Sequence, residues 1–410
     1  MNNTNEDKIM LGRRDDNGIL VIFDGTISRN RVAHLLKISK ILNKLGKKVT
    51  ILMPRAPIDA MIDIIKSKSN IGEIFILDPK NSLAKINKGF PLKEWILQLV
   101  QLLRIRHIFR TRRRVIVMGT LNLPALLICR FYGKRTYTFA GGFAYMSECS
   151  KALNSEDLWK IARFFKARII YILELFTILF TNYLIVESKY MRKYIPFYHY
   201  TKGMISGKIV DYGSLFIEVD VFKPHIPIDK RENVVGYIGS LEPYRFVTQL
   251  VMAFRIIART RSDIKFLIIG SGTLYDMVYT MINNDPILSS KVTLLKYVSH
   301  ADISSYLNKI KVFLFLTESD GLPNTILEAL ACGCIVISTP IGGIPSIVKE
   351  GITGFYVSSR DPKDIAKHVL EVLNMPEPTI IRISLGGHIL VRSYYDFISA
   401  LNRWSRIINL

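Results

Sequence analysis

The feature that most constrains this 410-residue chain is a rhythm that occurs twice: apolar runs of strand length separated by stretches with helical spacing. The first series reads GILVIFD (18–24), KKVTILM (47–53), EIFILD (73–78), RVIVMG (114–119), TYTFAG (136–141) and NYLIVES (182–188), with a helical pattern, VAHLLKISKILNKLG, between its first two members. Near-continuous apolar strands are buried on both faces, and strands that alternate with helices run parallel because each return needs a crossover. After a looser stretch near 196–230 the rhythm restarts with NVVGYIG (233–239), IKFLIIG (264–270), KVTLLKY (291–297), KVFLFLT (311–317) and CIVIST (334–339). A chain of this length exceeds one ordinary core. The expectation is therefore an α/β protein of two Rossmann-like, doubly wound domains facing a cleft. A polar tail spans 1–16, the first domain about six strands over 17–200, the second domain 201–385, and a single helix over 386–410 returns to the first domain as a clasp.

Hydrophobic residues at 49% and charged residues at 22% exclude a disordered or low-complexity chain. Four scattered cysteines do not make a disulfide scaffold, and Cys332-Gly-Cys334 lacks zinc-site spacing, so a reducing compartment is expected. The first residues hold no apolar segment of the signal-peptide kind, which points to the cytoplasm. Neither the seven histidines nor the acids have metal-ligand spacing.

Charge divides the chain sharply. Residues 1–200 carry 34 Lys+Arg against 15 Asp+Glu, whereas residues 201–410 carry 22 against 19. A half with net charge +19 is expected to face something anionic: lipid headgroups, a phosphorylated substrate or nucleic acid. Six arginines fall within 104–114, including Arg110, Arg112, Arg113 and Arg114. Alone, such a run reads as a solvated helix end. Beside it, the apolar stretch 161–186 is interrupted by charges and has no uncharged run long enough to span a bilayer. It reads either as a buried crossover helix or as an interfacial helix dipping into a membrane, and in the second case the arginines become membrane contacts. No nucleic-acid module is present, and the arginines do not alternate with stacking aromatics, so nucleic acid is not an expected partner.

In the second half, the strand KVFLFLT ends in two acids and a glycine before a helix that opens at Pro323. Helix N-termini and loop N–H groups favour phosphate, and acids beside them accept hydrogen bonds from sugar hydroxyls. A nucleotide sugar carries both groups. The alternative is that Asp320 and Glu328 merely cap a helix and face solvent.

Asp320-Gly-Leu-Pro-Asn-Thr-Ile-Leu-Glu328, followed by Ala-Leu-Ala-Cys-Gly, resembles the acid, seven residues, acid motif of the family-four retaining glycosyltransferases (glycosyl transferases group 1) of GT-B fold. ISTPIGGIPSIVKEGITGFYV (337–357) resembles that family's continuation, GYIGSLEPYR (236–245) its diphosphate-gripping loop, and Phe222-Lys-Pro224 its domain junction. The resemblance is strongest over about 220–360. It implies Arg245 and Asp320 as catalytic residues, with Glu328 on the donor ribose and Asp320 on the donor sugar. Gly321, Leu322 and Pro323 would lie along the sugar, Asn324 and Thr325 on phosphate, and Gly25, Gly239, Ser240 and Gly270 in donor-binding turns. Two departures from the family pattern stand out: Asp320 replaces the commoner Glu, and Ser240 replaces a commoner Arg, which leaves Arg245 as the lone cation of its loop. The other reading of Arg245 is an ordinary surface arginine opening a helix. The family's histidine-bearing segment is here Ala140-Gly141-Gly142, so that Gly141 and Gly142 are either close-approach backbone on the acceptor side or a plain turn. Gly270-Ser271-Gly272 is likewise either a donor turn or a tight strand–helix contact.

The resemblance implies a metal-independent enzyme without a cofactor, using a UDP- or GDP-linked sugar as donor substrate. The expected acceptor is a lipid-linked or otherwise anionic saccharide in glycolipid or surface-polysaccharide assembly, and the expected location is peripheral at the inner face of the cell membrane. A sugar-nucleotide epimerase of the same architecture and a non-catalytic basic scaffold are the rival readings.

Overall fold

The computed structural model describes residues 15–23, 29–53, 73–76, 102–103, 108–109, 112–153, 159–211 and 216–410. The first sheet contains β1 (Asp15–Phe23), β2 (Lys48–Met53), β3 (Glu73–Ile76), β4 (Arg112–Met118), β5 (Arg135–Ala140), β6 (Tyr183–Val186) and β7 (Ile209–Asp211), in the order β3-β2-β1-β4-β5-β6-β7. The second contains β8 (Val234–Ile238), β9 (Lys265–Ile269), β10 (Val292–Leu295), β11 (Val312–Phe315), β12 (Ile335–Ser338) and β13 (Gly354–Tyr356), in the order β10-β9-β8-β11-β12-β13. Every pairing between these strands is parallel. The two edge strands β7 and β13, three residues each, are additions to the sequence reading; runs this short carry no periodic signal.

Alternation along β1 explains the layering. Ile19, Val21 and Phe23 enter one core with Leu35, Ile38 and Leu42 of α1 (Arg29–Lys44), while Leu20 and Ile22 enter another with Leu126 and Cys129 of α2 (Leu123–Phe131). Two further helices, α3 (Ala144–Leu153) and α4 (Trp159–Phe180), lie between β5 and β6. The second sheet is sandwiched in the same way. Val235 and Tyr237 of β8 pack on the side of α5 (Val247–Thr260), and Ile238 packs on that of α6 (Asn324–Ala331).

Both sheets wind outward from a central switch, between β1 and β4 in the first and between β8 and β11 in the second. Crevices beyond the strand C-termini at such switches are where open parallel sheets bind ligands.

Three expectations are corrected. The C-terminal segment is two helices, Glu377–Tyr394 and Phe397–Asn409, because Asp396 caps the second by accepting from Ser399 N at 2.9 Å. The former packs on the second domain, and the latter buries Trp404, Ile407 and Ile408 in the first-domain core. Next, Arg112, Arg113 and Arg114 form the opening of strand β4 and are not a helix end. Arg112 and Arg114 are half-buried; Arg112 Nη2 donates to Thr50 Oγ1 at 3.1 Å, and Arg114 bonds Tyr137. Arg110 lies outside the described residues.

Finally, α4 combines the two readings of its sequence. Ala167, Ile170, Glu174, Thr177 and Ile178 are buried, yet Ile161, Phe165, Ile172 and Phe176 form a solvent-facing stripe with exposures of 73, 71, 47 and 44%. Among the described residues no helix is long and apolar enough to cross a membrane.

Candidate active site

The loops after β8 and β11 meet at the second-domain switch point. The chain leaves β8 through Gly239 and Ser240 into a short 3-10 turn, Pro243–Arg245, and Glu318 N bonds Tyr244 O at 3.0 Å, which ties the two loops together. Arg245 Nη1 donates to Asp320 Oδ2 at 2.5 Å, and Asp320 Oδ1 accepts from Gly321 N at 2.9 Å. Burial works against the guanidinium charge, but Asp320, Tyr237 and Tyr244 outweigh it, so the Arg245 pKa stands above its ordinary value. Its plane also lies over the rings of Phe315 and Tyr244, at 4.6 and 5.0 Å. The reading of Arg245 as an ordinary surface residue is thereby corrected: its side chain is 14% exposed. Phe246, which follows it, adopts the left-handed region at φ 48°, a strain of about 1–2 kcal/mol for a bulky side chain, while the Arg360 guanidinium stacks on its ring.

Helix α6 begins after Pro323, which stands at the N-cap and not within the first turn. Glu328, one turn in, is 5% exposed and does not face solvent; its Oε1 lies 3.2 Å from His300 Nε2. That contact raises the His300 pKa, mainly through the hydrogen bond to Glu328. Asn324 Oδ1 is buried without a hydrogen-bond partner among the described residues, at the end of the helix where the family resemblance leads one to expect phosphate. Thr325 is half-buried beside it. Ser240 Oγ sits 3.4 Å from Tyr244 Oη, and its carbonyl accepts from Tyr237 Oη at 2.6 Å, so this position supplies no cation.

For Gly270 and Gly239 the structure supplies a packing reason. A Cβ on Gly270 would lie 1.9 Å from Gly239 O, and one on Gly272 would lie 2.4 Å from Leu241 O. Gly141 approaches the second domain: a Cβ on Gly321 would lie 1.9 Å from Gly141 O, whereas Gly142 borders open space. Gly25 lies outside the described residues.

Three residues that sequence reasoning missed converge here. Glu187, directly after β6, reaches across the cleft so that Leu322 N donates to its Oε2 at 2.7 Å. It is 2% exposed, and burial pushes its carboxyl well above the ordinary range; Leu322 N–H and Lys37 oppose this and Asp320 reinforces it. Lys37 of α1 donates to Phe216 O at 2.8 Å, and burial lowers its pKa against the pull of Glu328, Glu218 and Glu187. His300 is the third. An acid ending the buried strand in NYLIVES was a usable signal for Glu187, but nothing in spacing marked Lys37 or His300.

Residues 219–380 match the family described as glycosyl transferases group 1. The capsular polysaccharide biosynthesis glycosyltransferase CapM of Staphylococcus aureus is 32% identical over 145 residues, covering 34% of this chain and 37% of that protein. The D-inositol 3-phosphate glycosyltransferase of Mycobacterium tuberculosis is 24% identical over 198 residues, 45% of this chain and 41% of that protein. The matched stretch thus spans less than half the length of these relatives. Likeness of fold extends further. Anabaena Alr3699/HepE in complex with UDP superposes with a TM-score of 0.73 over 96% of this chain and 99% of that one at 12% identity, and TarM with 0.71 over 96% and 99% at 13%. Residues 219–380 belong to the glycosyl transferases group 1 family, and they are set in a chain with the two-domain Rossmann-like GT-B fold.

Proposed function

We propose that the protein is a retaining glycosyltransferase that moves a sugar from a UDP- or GDP-linked donor to a lipid-linked or otherwise anionic saccharide. The observation that carries this reading is the Arg245–Asp320 pair, set at the second-domain switch point directly before the helix that holds Glu328. As the glycosidic bond breaks, negative charge grows on the bridging phosphate oxygen, and a buried, permanently charged guanidinium is suited to stabilise it. The cation is then protein-borne, consistent with a metal-independent reaction. Glu328 would take the ribose hydroxyls, and α6, with Asn324 and Thr325 at its start, would face phosphate.

Both oxygens of Asp320 are engaged, by Arg245 and Gly321 N, which disfavours it as a covalent nucleophile. Same-face attack, with the leaving phosphate taking the acceptor proton, is the retaining route this geometry favours. CapM is named for capsular polysaccharide biosynthesis, and solved HepE structures hold UDP and UDP-glucose; those names support the donor class and a surface-polysaccharide context.

Membrane attachment would use the exposed stripe of α4. It lies among Lys160, Arg163, Lys166 and Arg168, and a cavity of about 390 Å³ lined by Arg130, Lys134, Arg135 and Phe180 adjoins the end of the helix. Apolar side chains framed by cations suit an anionic leaflet.

A panel of UDP- and GDP-linked sugars, assayed with the purified protein for hydrolysis and transfer, tests the reading, with the anomeric configuration of the first-formed product followed by NMR. Retention with one donor is expected. Inversion, or no turnover and no nucleotide binding across the panel, overturns it.

A further inference from the structure

Glu187 belongs to the first domain, outside the 219–380 family match, and its placement is unusual. It follows β6 at the strand's C-terminal end, on the cleft side of the sheet, and its carboxyl crosses to the second domain. Oε2 is fixed by Leu322 N–H at 2.7 Å. Oε1 is buried and has no hydrogen-bond partner among the described residues. Gly321 makes room for the group: a Cβ there would fall 2.6 Å from Oε2.

A buried carboxylate with neither a bonded cation nor a second donor is costly, whereas a neutral acid is tolerated. The charged groups that act on Glu187 are Asp320, which opposes ionisation, and Lys37, which favours it and donates its own hydrogen bond to Phe216 O. Asp320, by contrast, has Arg245. Of these two carboxyl groups in one cleft, Glu187 is the one that burial drives toward its neutral form. With Oε2 accepting from Leu322 N–H, the proton belongs on Oε1, where it is a hydrogen-bond donor that lacks an acceptor.

We propose that Glu187 is a sugar-recognition residue that presents its Oε1 hydroxyl to an oxygen of the transferred sugar lying against residues 320–322. This rests on the donor-site reading above. Donor specificity is then shared between the domains. The second holds the nucleotide through Glu328 and the diphosphate through Arg245, and the first contributes one neutral hydrogen-bond donor to the sugar. No proton is transferred; the acid acts as a fixed O–H.

Two substitutions separate the roles. Glu187→Gln keeps an acceptor for Leu322 N–H and replaces the O–H by an N–H donor, whereas Glu187→Leu removes both. Each variant is titrated calorimetrically with UDP and GDP, then with the nucleotide sugar that the wild type binds most tightly, and turnover is followed from about pH 6 to pH 9. Free nucleotide should bind all three proteins alike. The nucleotide sugar should bind the Leu variant at least about tenfold more weakly, as expected when a site loses a buried hydrogen-bond donor, and the Gln variant nearly as well as wild type. Turnover of the wild type should fall at high pH as the acid ionises, and that fall should be absent from the Gln variant. A folded Gln variant that binds nucleotide but has lost transfer would show that an ionised carboxylate is required, and would overturn the proposal. A Leu variant with wild-type nucleotide-sugar affinity would reduce Glu187 to a contact between domains and overturn it too. Wild-type protein that binds neither free nucleotide nor nucleotide sugar would remove the donor-site reading itself, a result distinct from either.

Discussion

The two domains share an architecture but deliver charge to the cleft in opposite ways. In the second domain each acidic group of the site has a cationic or donor neighbour: Asp320 has Arg245 and Gly321 N, and Glu328 has His300. In the first, Glu187 arrives buried with one oxygen unmatched among the described residues, although that half of the chain carries nearly all the excess positive charge. Lys37 reaches the cleft, but other cations of that half lie elsewhere: Arg112 and Arg114 brace the start of β4, and Lys160, Arg163, Lys166 and Arg168 surround the outer stripe of α4. Net charge therefore describes a surface, while the chemistry of the cleft depends on which few groups the strand ends carry inward.

The largest break in this comparison should come from Arg245→Ala. If Arg245 stabilises the departing diphosphate as proposed, its removal should cost about 3 kcal/mol or more, hence at least about a hundredfold in turnover on the identified donor. It also leaves the half-buried Asp320 without this partner, so nucleotide binding should be measured alongside the rate. Wild-type turnover in the folded variant would place the diphosphate elsewhere.

Next is Glu328→Gln. Loss of a charge-assisted hydrogen bond worth about 1.5–3 kcal/mol should weaken donor binding by roughly ten- to a hundredfold. The same substitution should lower the His300 pKa, read by NMR titration, because the hydrogen bond to Glu328 is the main cause of its upward shift. Since the folded value is the higher one, the His300–Glu328 pair contributes fully below the ordinary histidine value of 6.5 and is lost as pH rises through the raised folded value. An unmoved His300 titration would separate the two residues.

A smaller effect sharpens the contrast from the first-domain side. The folded-state pKa of Glu187 is raised, so its contribution to stability is fully present below the ordinary carboxyl value of 4.5 and declines as pH rises from there through the folded value. Glu187→Gln cannot ionise and should melt a few degrees higher than wild type at pH 8, but not at pH 4. Equal melting at both pH values would mean that the buried carboxyl is not held neutral.

Smallest of all should be the outer stripe. Phe165→Ser is expected to reduce co-sedimentation with anionic vesicles by roughly fivefold, since an interfacial ring inserts only partly. Arg112→Gln, whose guanidinium is held by the sheet, should change it less than Arg168→Gln. Equal binding of wild type to neutral and anionic vesicles, or to neither, would detach the basic half from membranes.

The parallel sheets were legible because apolar runs buried on both faces leave a period in the sequence. The three-residue edge strands β7 and β13 were not, being too short to show one. Asp320 and Glu328 stood out in the second half because their motif is contiguous, a strand, a loop and a helix turn fixing the spacing of the two acids locally, while Arg245 was singled out from a separate loop, 236–245. The arginine run misled because composition alone does not distinguish a solvated helix end from the first residues of a strand whose long side chains lie along the sheet.

Sequence by itself determined two α/β units, the position of the acidic motif and the uneven charge. Only the tertiary structure decided that Arg245 closes on Asp320, that His300 meets Glu328, and that Glu187 crosses to Leu322 N. Those pairs are separated by 75, 28 and 135 residues. Local propensity and periodicity act over a few turns of chain, whereas contacts across such separations exist only once the sheets have packed and their strand ends share one cleft.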